Sequence, residues 1–294
     1  PAAPTGGPPA TLEVGAAVTY SELLAALDRV GPGLPAAAQP GLDALRYMAQ
    51  RTAGRIVRDA ASLAGNTMLV VQHIDHGTPF PSDLFTALCT LGATVEVICP
   101  RWPAPERFAM LGFAARWRRD PEVRRGAVIL RYAIPLTGPG AWARTFKVAL
   151  REVNAHSIVN AGFRVTFDAE HRVTAATAVL GGVGPLAFHL AGLEAALIGR
   201  RWDADTLAHT MPIVRREVVA QLEATRAWMR DVPQEGFTDA YRTHLAETYY
   251  YQYFVWLAEQ LTPARVPPPV RSAGEHPVRP LSRGTQRYAP PAPT

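Results

Sequence analysis

The segment ASLAGNTMLVVQHIDHGTPFPSD, residues 61–83, decides how the rest of the chain is read. Its opening brings Ser62, Gly65 and Asn66 into one turn, where backbone amides and short polar side chains suit a phosphate or the polar edge of a cofactor. The same residue types also describe an ordinary turn, and the flanking segments must discriminate. Further along, His73, Asp75 and His76 form HIDH, which could ligate a divalent ion. With no further anchored ligand beside it, this cluster reads as solvated loop, and no metal is assigned.

Upstream, residues 1–11 are a Pro/Gly/Ala-rich linker whose start, PAAPTGGPPA, has neither an initiator Met nor a signal-peptide pattern and reads as a cut end. Residues 12–18 alternate as a short strand, and Ser21 is placed to cap a helix carrying Leu23, Leu24 and Leu27. After the break GPGLP, a helix over about 42–53 presents Leu42, Leu45, Met48 and Ala49 on one face and leads through Ile56 to ASLAGN. Downstream, Asp83 opens a short helix (Leu84, Leu88, Leu91) that Gly92 ends before a strand at 93–99. Residues 100–125, with Trp102 and Trp117, read as irregular and basic. A β-type run at 127–134 stops at Pro135, and LTGPG closes a first domain, 12–140.

The second domain, 141–262, has cleaner periodicity. Strands at 158–167 and 173–180 are joined by DAEHR as a hairpin. GGVGP, residues 181–185, lacks the spacing of a dinucleotide fingerprint and is a turn. Leu186, Leu190, Leu193 and Leu197 then predict one helix ending at Gly199, Asp203 or Asp205 predicts a cap for a helix through Leu222, and 238–261 reads as a long terminal helix. Its aromatic run, Tyr249 to Trp256, is expected in the core with hydroxyls reaching the edge. Residues 263–294, rich in Pro and charge, predict an extended linker to a following part.

Composition narrows the function classes. The 294 residues are 48% hydrophobic, enough for a sizeable core, and no apolar run reaches the roughly 18 residues of a membrane span. The net charge of +5 comes from scattered Arg with no basic stripe, which speaks against nucleic acid as a partner. Cys89 and Cys99 suit buried reduced thiols in an intracellular compartment; the expected location is the cytoplasm, with the peroxisome as the alternative. No Gly-x-Ser-x-Gly elbow supports a hydrolase triad around Ser62. Lys147 is the single Lys; following Phe146 in a strand-like segment, its compact charge suits a phosphate or a flavin's polar edge, or simply solvent.

The order of segments carries more than any one of them. LEVGAAVTYSELLAAL, IVRDAASLAGN, PFPSDLFTALCTLGATVEV, AWARTFKVALRE, NAGFRVTFD and VLGGVGPLAFHLAGLEAALIGRRWDADTL together resemble the FAD-binding part of the xanthine dehydrogenase and aldehyde oxidase (molybdenum hydroxylase) family. The closing AYRTHLAETYYYQYFVWLAEQL and the connector RPLSRGTQRY are similar as well.

The resemblance implies an α+β fold: the second subdomain of a vanillyl-alcohol-oxidase-like flavin domain, then a small antiparallel sheet covered by helices, as at the C-terminus of CO dehydrogenase flavoproteins. It implies FAD as cofactor, with the turn amides facing FAD oxygens and Ser62, Gly65, Asn66, Asp83, Ile129 and Lys147 as cofactor-binding positions. Iron-sulfur (2Fe-2S) and molybdopterin-binding parts would be partners outside this chain, NAD or dioxygen the electron acceptor, and the full enzyme a homodimer. No catalytic residue is expected here, and the chain alone is expected to be inactive.

Three positions depart from the family pattern. Ala64 replaces a Gly of the turn, the path from Asn66 to Asp83 is longer, and Val153 with Asn154 stand where an acidic pair is usual. The family's Gly-rich first subdomain is not seen before Leu12. The alternative expectation is therefore a scaffold that has lost FAD and packs against partner domains.

Overall fold

The structure is a computed structural model that describes residues 9–75, 77, 79–229 and 237–275. Strand β1 (Thr11–Gly15) leads into helix α1 (Tyr20–Val30). Thr19, rather than Ser21, caps that helix: its hydroxyl accepts from the Glu22 amide (3.2 Å) while the Glu22 carboxylate accepts from the Thr19 amide (2.8 Å). Ser21 instead donates to Asp59 in α3 (Arg55–Ala60). Helix α2 (Gln39–Arg51) starts ahead of its leucines because Pro40 fits its first turn, where the missing N–H has no partner to lose. Helices α4 (Leu63–Asp75) and α5 (Asp83–Leu91) follow, and Gly92, at φ 74°, ends α5 in the left-handed region before β2 (Thr94–Ile98).

Residues 100–125 are not irregular. They hold β3 (Glu106–Ala109), α6 (Met110–Arg119) and α7 (Pro121–Gly126), ahead of β4 (Val128–Pro135). The buried stripe of α6, Met110, Phe113, Ala114 and Trp117, has helical spacing that Arg116, Arg118 and Arg119 obscure in sequence. The four strands order as β1-β4-β2-β3, every neighbouring pair antiparallel. Tyr132 of β4 pairs with Val14 on one side and Val95 on the other, and its hydroxyl bonds to Thr67 of α4 (2.8 Å), tying helix to sheet.

A second antiparallel sheet, ordered β5-β6-β7-β8, is built from β5 (Ala141–Ala149), β6 (Ser157–Phe167), β7 (Val173–Gly181) and β8 (Phe188–His189). Helices α8 (Ala191–Leu197), α9 (Ala204–Trp228) and α10 (Asp239–Leu261) complete this half. The leucine helix is shorter than its sequence stripe. Phe188 and His189 pair with Leu180 and Val179, so sheet pairing takes the segment after Leu186 and the helix begins only at Ala191.

Asp203 is the cap of α9, accepting from the Thr206 amide (3.0 Å), and that helix runs on past Leu222 to Trp228. In α10 the phenols lie in the core with partners: Tyr249 to the Val159 carbonyl (3.1 Å), Tyr253 to the Trp142 carbonyl (2.9 Å) and Tyr250 with Thr210 (2.7 Å).

Residues 263–275, expected to be extended, fold back on α10 through the short helix α11 (Pro268–Arg271). Val266 is buried, and Gly274 lies so close to Trp256 that a Cβ would come within 2.9 Å of its backbone. The expected connector beyond residue 275 lies outside the described residues. No helix among the described residues is long and apolar enough to cross a membrane.

The two sheets meet across α2 and α5. Thr145 donates to the Ala44 carbonyl (2.8 Å), Arg164 to the Leu91 carbonyl (2.8 Å), and all nine residues of α5 are buried. At the contact, an added Cβ on Gly162 would sit 2.0 Å from the Thr90 hydroxyl oxygen. Gly162→Ala is expected to destabilise the fold by about 1–3 kcal/mol, read as a lower urea midpoint with an unchanged slope, because the backbone of β6 cannot retreat from a helix packed on all sides.

Candidate functional site

The ASLAGN segment is the first turn of α4, held down by the chain after β1. The amides of Leu63 and Ala64 donate to the carbonyls of Val18 and Ala16 (3.0 Å each), and the Tyr20 amide donates to the Ala61 carbonyl (3.2 Å). Ser62 then closes the turn: its hydroxyl accepts from the Gly65 amide (3.0 Å) and its carbonyl from the Asn66 amide (3.1 Å). The amides of residues 63–66 are therefore engaged inside the protein. What this turn presents outward is side chains and the bare face of Gly65, where an added Cβ would meet only the Ser62 hydroxyl at 3.1 Å.

Ala64, expected from the sequence resemblance to be a departure in the turn, packs partly buried against the first core. After Asn66 the chain continues in α4 to Asp75 and returns with Phe80 and Pro81 as wall. Of HIDH, His73 lies in α4, stacked on Phe80 at 4.9 Å between ring centroids, and Asp75 closes the helix, whereas His76 lies outside the described residues. Among the described residues no group of three or more His, Cys, Asp or Glu could hold a metal ion.

Beside this turn opens a cleft of about 710 Å³. Ser62, Gly65, Asn66 and Asp83 line it together, as do Tyr20, Thr52, Arg58, Phe80 and His156. Its wall is mixed: Val57, Leu69 and Phe80 supply apolar surface, and Ser62, Asn66 and Asp83 supply a polar edge. Such a lining suits a flat aromatic ring system with polar atoms along one side. Arg58 holds one rim by donating to the carbonyls of Gln50 (3.1 Å), Thr52 (3.0 Å) and Ala53 (2.9 Å), closing the C-terminal end of α2; burial lowers its pKa.

The polar edge is built around Asp83. Ser82 caps α5 through the Phe85 amide (3.1 Å) and donates to the Asn66 side-chain carbonyl (2.6 Å), joining the starts of α4 and α5. One Asp83 oxygen accepts from Asn160 (2.9 Å) and from Ser157; the other meets Lys147 Nζ at 2.5 Å. Lys147 also donates to the carbonyls of Arg51 (2.7 Å) and Ala155 (3.2 Å), which together use its three donors. With side chains only 3% and 5% exposed, Lys147 and Asp83 are a buried ion pair.

Lys147 therefore stands behind the cleft wall and does not line it. Ile129 is also absent from the lining; it is a buried β4 residue opposite Val97 in the first core. Asn154, at φ 57°, lines the rim with its side chain against Gly54, and Glu152 pairs with Arg51 at 3.6 Å.

Sequence reasoning missed Tyr20, Thr52 and His156 as lining residues. They are contributed by three separate segments and share no motif; Tyr20 lies inside the quoted LEVGAAVTYSELLAAL and Phe80 inside PFPSD, but neither residue type marked a site.

Comparison with known proteins places two family models on the chain. Residues 8–137 match the FAD binding domain in molybdopterin dehydrogenase, and residues 144–257 match the CO dehydrogenase flavoprotein C-terminal domain. Xanthine dehydrogenase 1 of Arabidopsis thaliana is 26% identical over 287 residues, covering 94% of this chain and 20% of the relative. Aldehyde oxidase 1 of Cavia porcellus is 29% identical over 208 residues, covering 70% of this chain and 15% of the relative. The chain thus spans about one fifth of the length of the curated relatives it matches, or less.

Among solved structures, reconstituted CO dehydrogenase from Oligotropha carboxidovorans superposes with a TM-score of 0.58 at 18% identity, over 82% of this chain and 72% of that one. Quinoline 2-oxidoreductase from Pseudomonas putida 86 gives 0.55 at 21% identity, over 82% and 73%. At these identities the likeness speaks to fold, which is the α+β arrangement the sequence resemblance implied.

Removing one partner of the buried pair leaves an uncompensated charge. Lys147→Met and Asp83→Ala are each expected to lower stability by about 3–5 kcal/mol, and the double variant by less than the sum. A urea double-mutant cycle reads this; additive losses would show that the two groups do not act as a pair.

Proposed function

Because the chain belongs to the FAD-binding flavoprotein family of the molybdenum hydroxylases, we propose that it seats FAD in the cleft beside Asp83 and acts as an electron-transfer module of a larger oxidoreductase. FAD, when bound, supplies the redox chemistry; the protein supplies binding, orientation and exclusion of water. The observation that carries this reading is the cleft itself, an apolar wall facing a fixed polar edge, with Gly65 presenting no side chain at its floor.

In this reading Ser62, Asn66 and Asp83 orient the cofactor's polar edge and Gly65 allows close approach. Lys147 acts through Asp83 by fixing its carboxylate, and Ile129 through packing of the sheet behind the site. Residues 12–140 and 141–262 form the two domains whose junction is the cleft. Electrons would arrive from iron-sulfur centres and leave to NAD or dioxygen, in a cytoplasmic enzyme that also carries a molybdenum-binding part and assembles as a homodimer.

One observation favours a second reading, in which the fold persists as a scaffold without flavin. The amides of residues 63–66 and all three donors of Lys147 are engaged internally, so less of the site is open to a ligand than the family resemblance implies.

Titration separates the two. FAD added to the full native polypeptide carrying this chain, followed by flavin fluorescence and absorbance, is expected to bind saturably, and absence of saturation establishes the scaffold. In the same assay Asp83→Ala, measured where it remains folded, is expected to weaken FAD by about tenfold or more and His73→Ala by less than about twofold. Equal effects would overturn the residue assignment.

A further inference from the structure

Among the described residues, the lining of the cleft includes one fully buried side-chain polar atom without a hydrogen-bond partner. Tyr20 is 1% exposed, and its hydroxyl has no hydrogen-bond partner among the described residues. Every other fully buried tyrosine hydroxyl described above is bonded: Tyr132 to Thr67, and Tyr250 and Tyr253 to partners in their own half. The exception is the one that lines the cleft. Its hydroxyl lies near two other lining residues, Thr52 and Asp83. Burial and then the Asp83 charge raise its pKa well above the ordinary phenol value, while the Thr52 hydroxyl opposes that shift without reaching bonding geometry. Thr52 already donates to the Met48 carbonyl at 2.9 Å.

The position of Tyr20 is dictated by backbone pairing. Its amide is tied to Ala61, and the bridge between Thr19 and Ser62 sets it under the first turn of α4. The ring is thus fixed by the same pairing that positions Ser62. A buried hydroxyl without an acceptor is costly, and native folds retain one chiefly where a ligand or water completes it.

We propose that Tyr20 is a ligand-orienting residue, its hydroxyl donating a hydrogen bond to a carbonyl oxygen or an unprotonated ring nitrogen of the heteroaromatic ring seated in the cleft. This rests on the flavin reading above, for which FAD is the probe. It adds a hydroxyl donor to a cleft whose lining also includes the carboxylate of Asp83 and the side chain of Asn66. The high pKa keeps the phenol protonated, and hence a donor, throughout the neutral and mildly alkaline range.

Tyr20→Phe removes the hydroxyl and keeps the ring. In the full native polypeptide, the FAD-free variant is expected to unfold at the same temperature as the parent or higher, since no protein bond is lost. Its FAD dissociation constant is expected to rise about three- to tenfold, and the isoalloxazine carbonyl or ring-nitrogen bands in the Raman spectrum of the bound flavin are expected to shift. A lower melting temperature without FAD would show that the hydroxyl bonds within the protein, and would overturn the proposal. So would unchanged FAD affinity and unchanged bands in a variant that binds FAD. If the parent itself fails to bind FAD, the flavin reading falls and this inference falls with it, an outcome distinct from the other two.

Discussion

An ionised carboxylate at the start of a helix buried on every side must find a counter-charge, and that requirement organises this molecule. All of α5 is enclosed between the helices of the first half and the second sheet, so Asp83 cannot be solvated by turning outward. Its partner, Lys147, comes from β5, and that cation also gathers the carbonyls at the end of α2 and at Ala155. Three segments far apart in sequence are thereby drawn to one point. Desolvation offsets much of the attraction within such a pair, so its main effect is on specificity: other registers of the second sheet against α5 would leave a charge unmatched.

The cleft follows from this arrangement. Its polar edge is formed by groups whose orientation is set from behind, with Ser157 and Asn160 of β6 also holding Asp83, and Asn160 in turn accepting from Thr86. A ligand there meets side chains already held by other bonds, which reduces the ordering cost of binding. The same economy narrows what remains for recognition. Groups engaged in holding the fold contribute fixed charge and shape, whereas an unengaged donor such as the Tyr20 hydroxyl contributes a new bond.

Much of the architecture was legible along the chain. Strand alternation, the Asp83-to-Gly92 helix with its glycine end, the hairpin through DAEHR and the buried aromatic face of α10 all appear where local pattern places them, because each is governed by neighbours within a few residues. Reading failed where competing partners were remote. Thr19 rather than Ser21 caps α1 because Ser21 has Asp59 to bond. Leu186 is outside its helix because β7 offers an edge to Phe188, and residues 263–275 pack because Trp256 presents a surface that only Gly274 can approach. In residues 100–125 a helical stripe was present, but arginines interrupted it enough to hide it.

The candidate site divides along the same line. The sequence by itself determined the family resemblance and brought forward four members of the lining, Ser62, Gly65, Asn66 and Asp83, since these sit in one short stretch. Only the tertiary structure decided that the amides of 63–66 turn inward, that Lys147 braces the site from behind, and that Tyr20, Thr52 and His156 complete the cleft. The physical reason is that hydrogen-bond satisfaction is a property of the whole fold: whether a donor faces a ligand depends on which carbonyls and carboxylates distant segments bring to it, and a linear pattern does not contain that information.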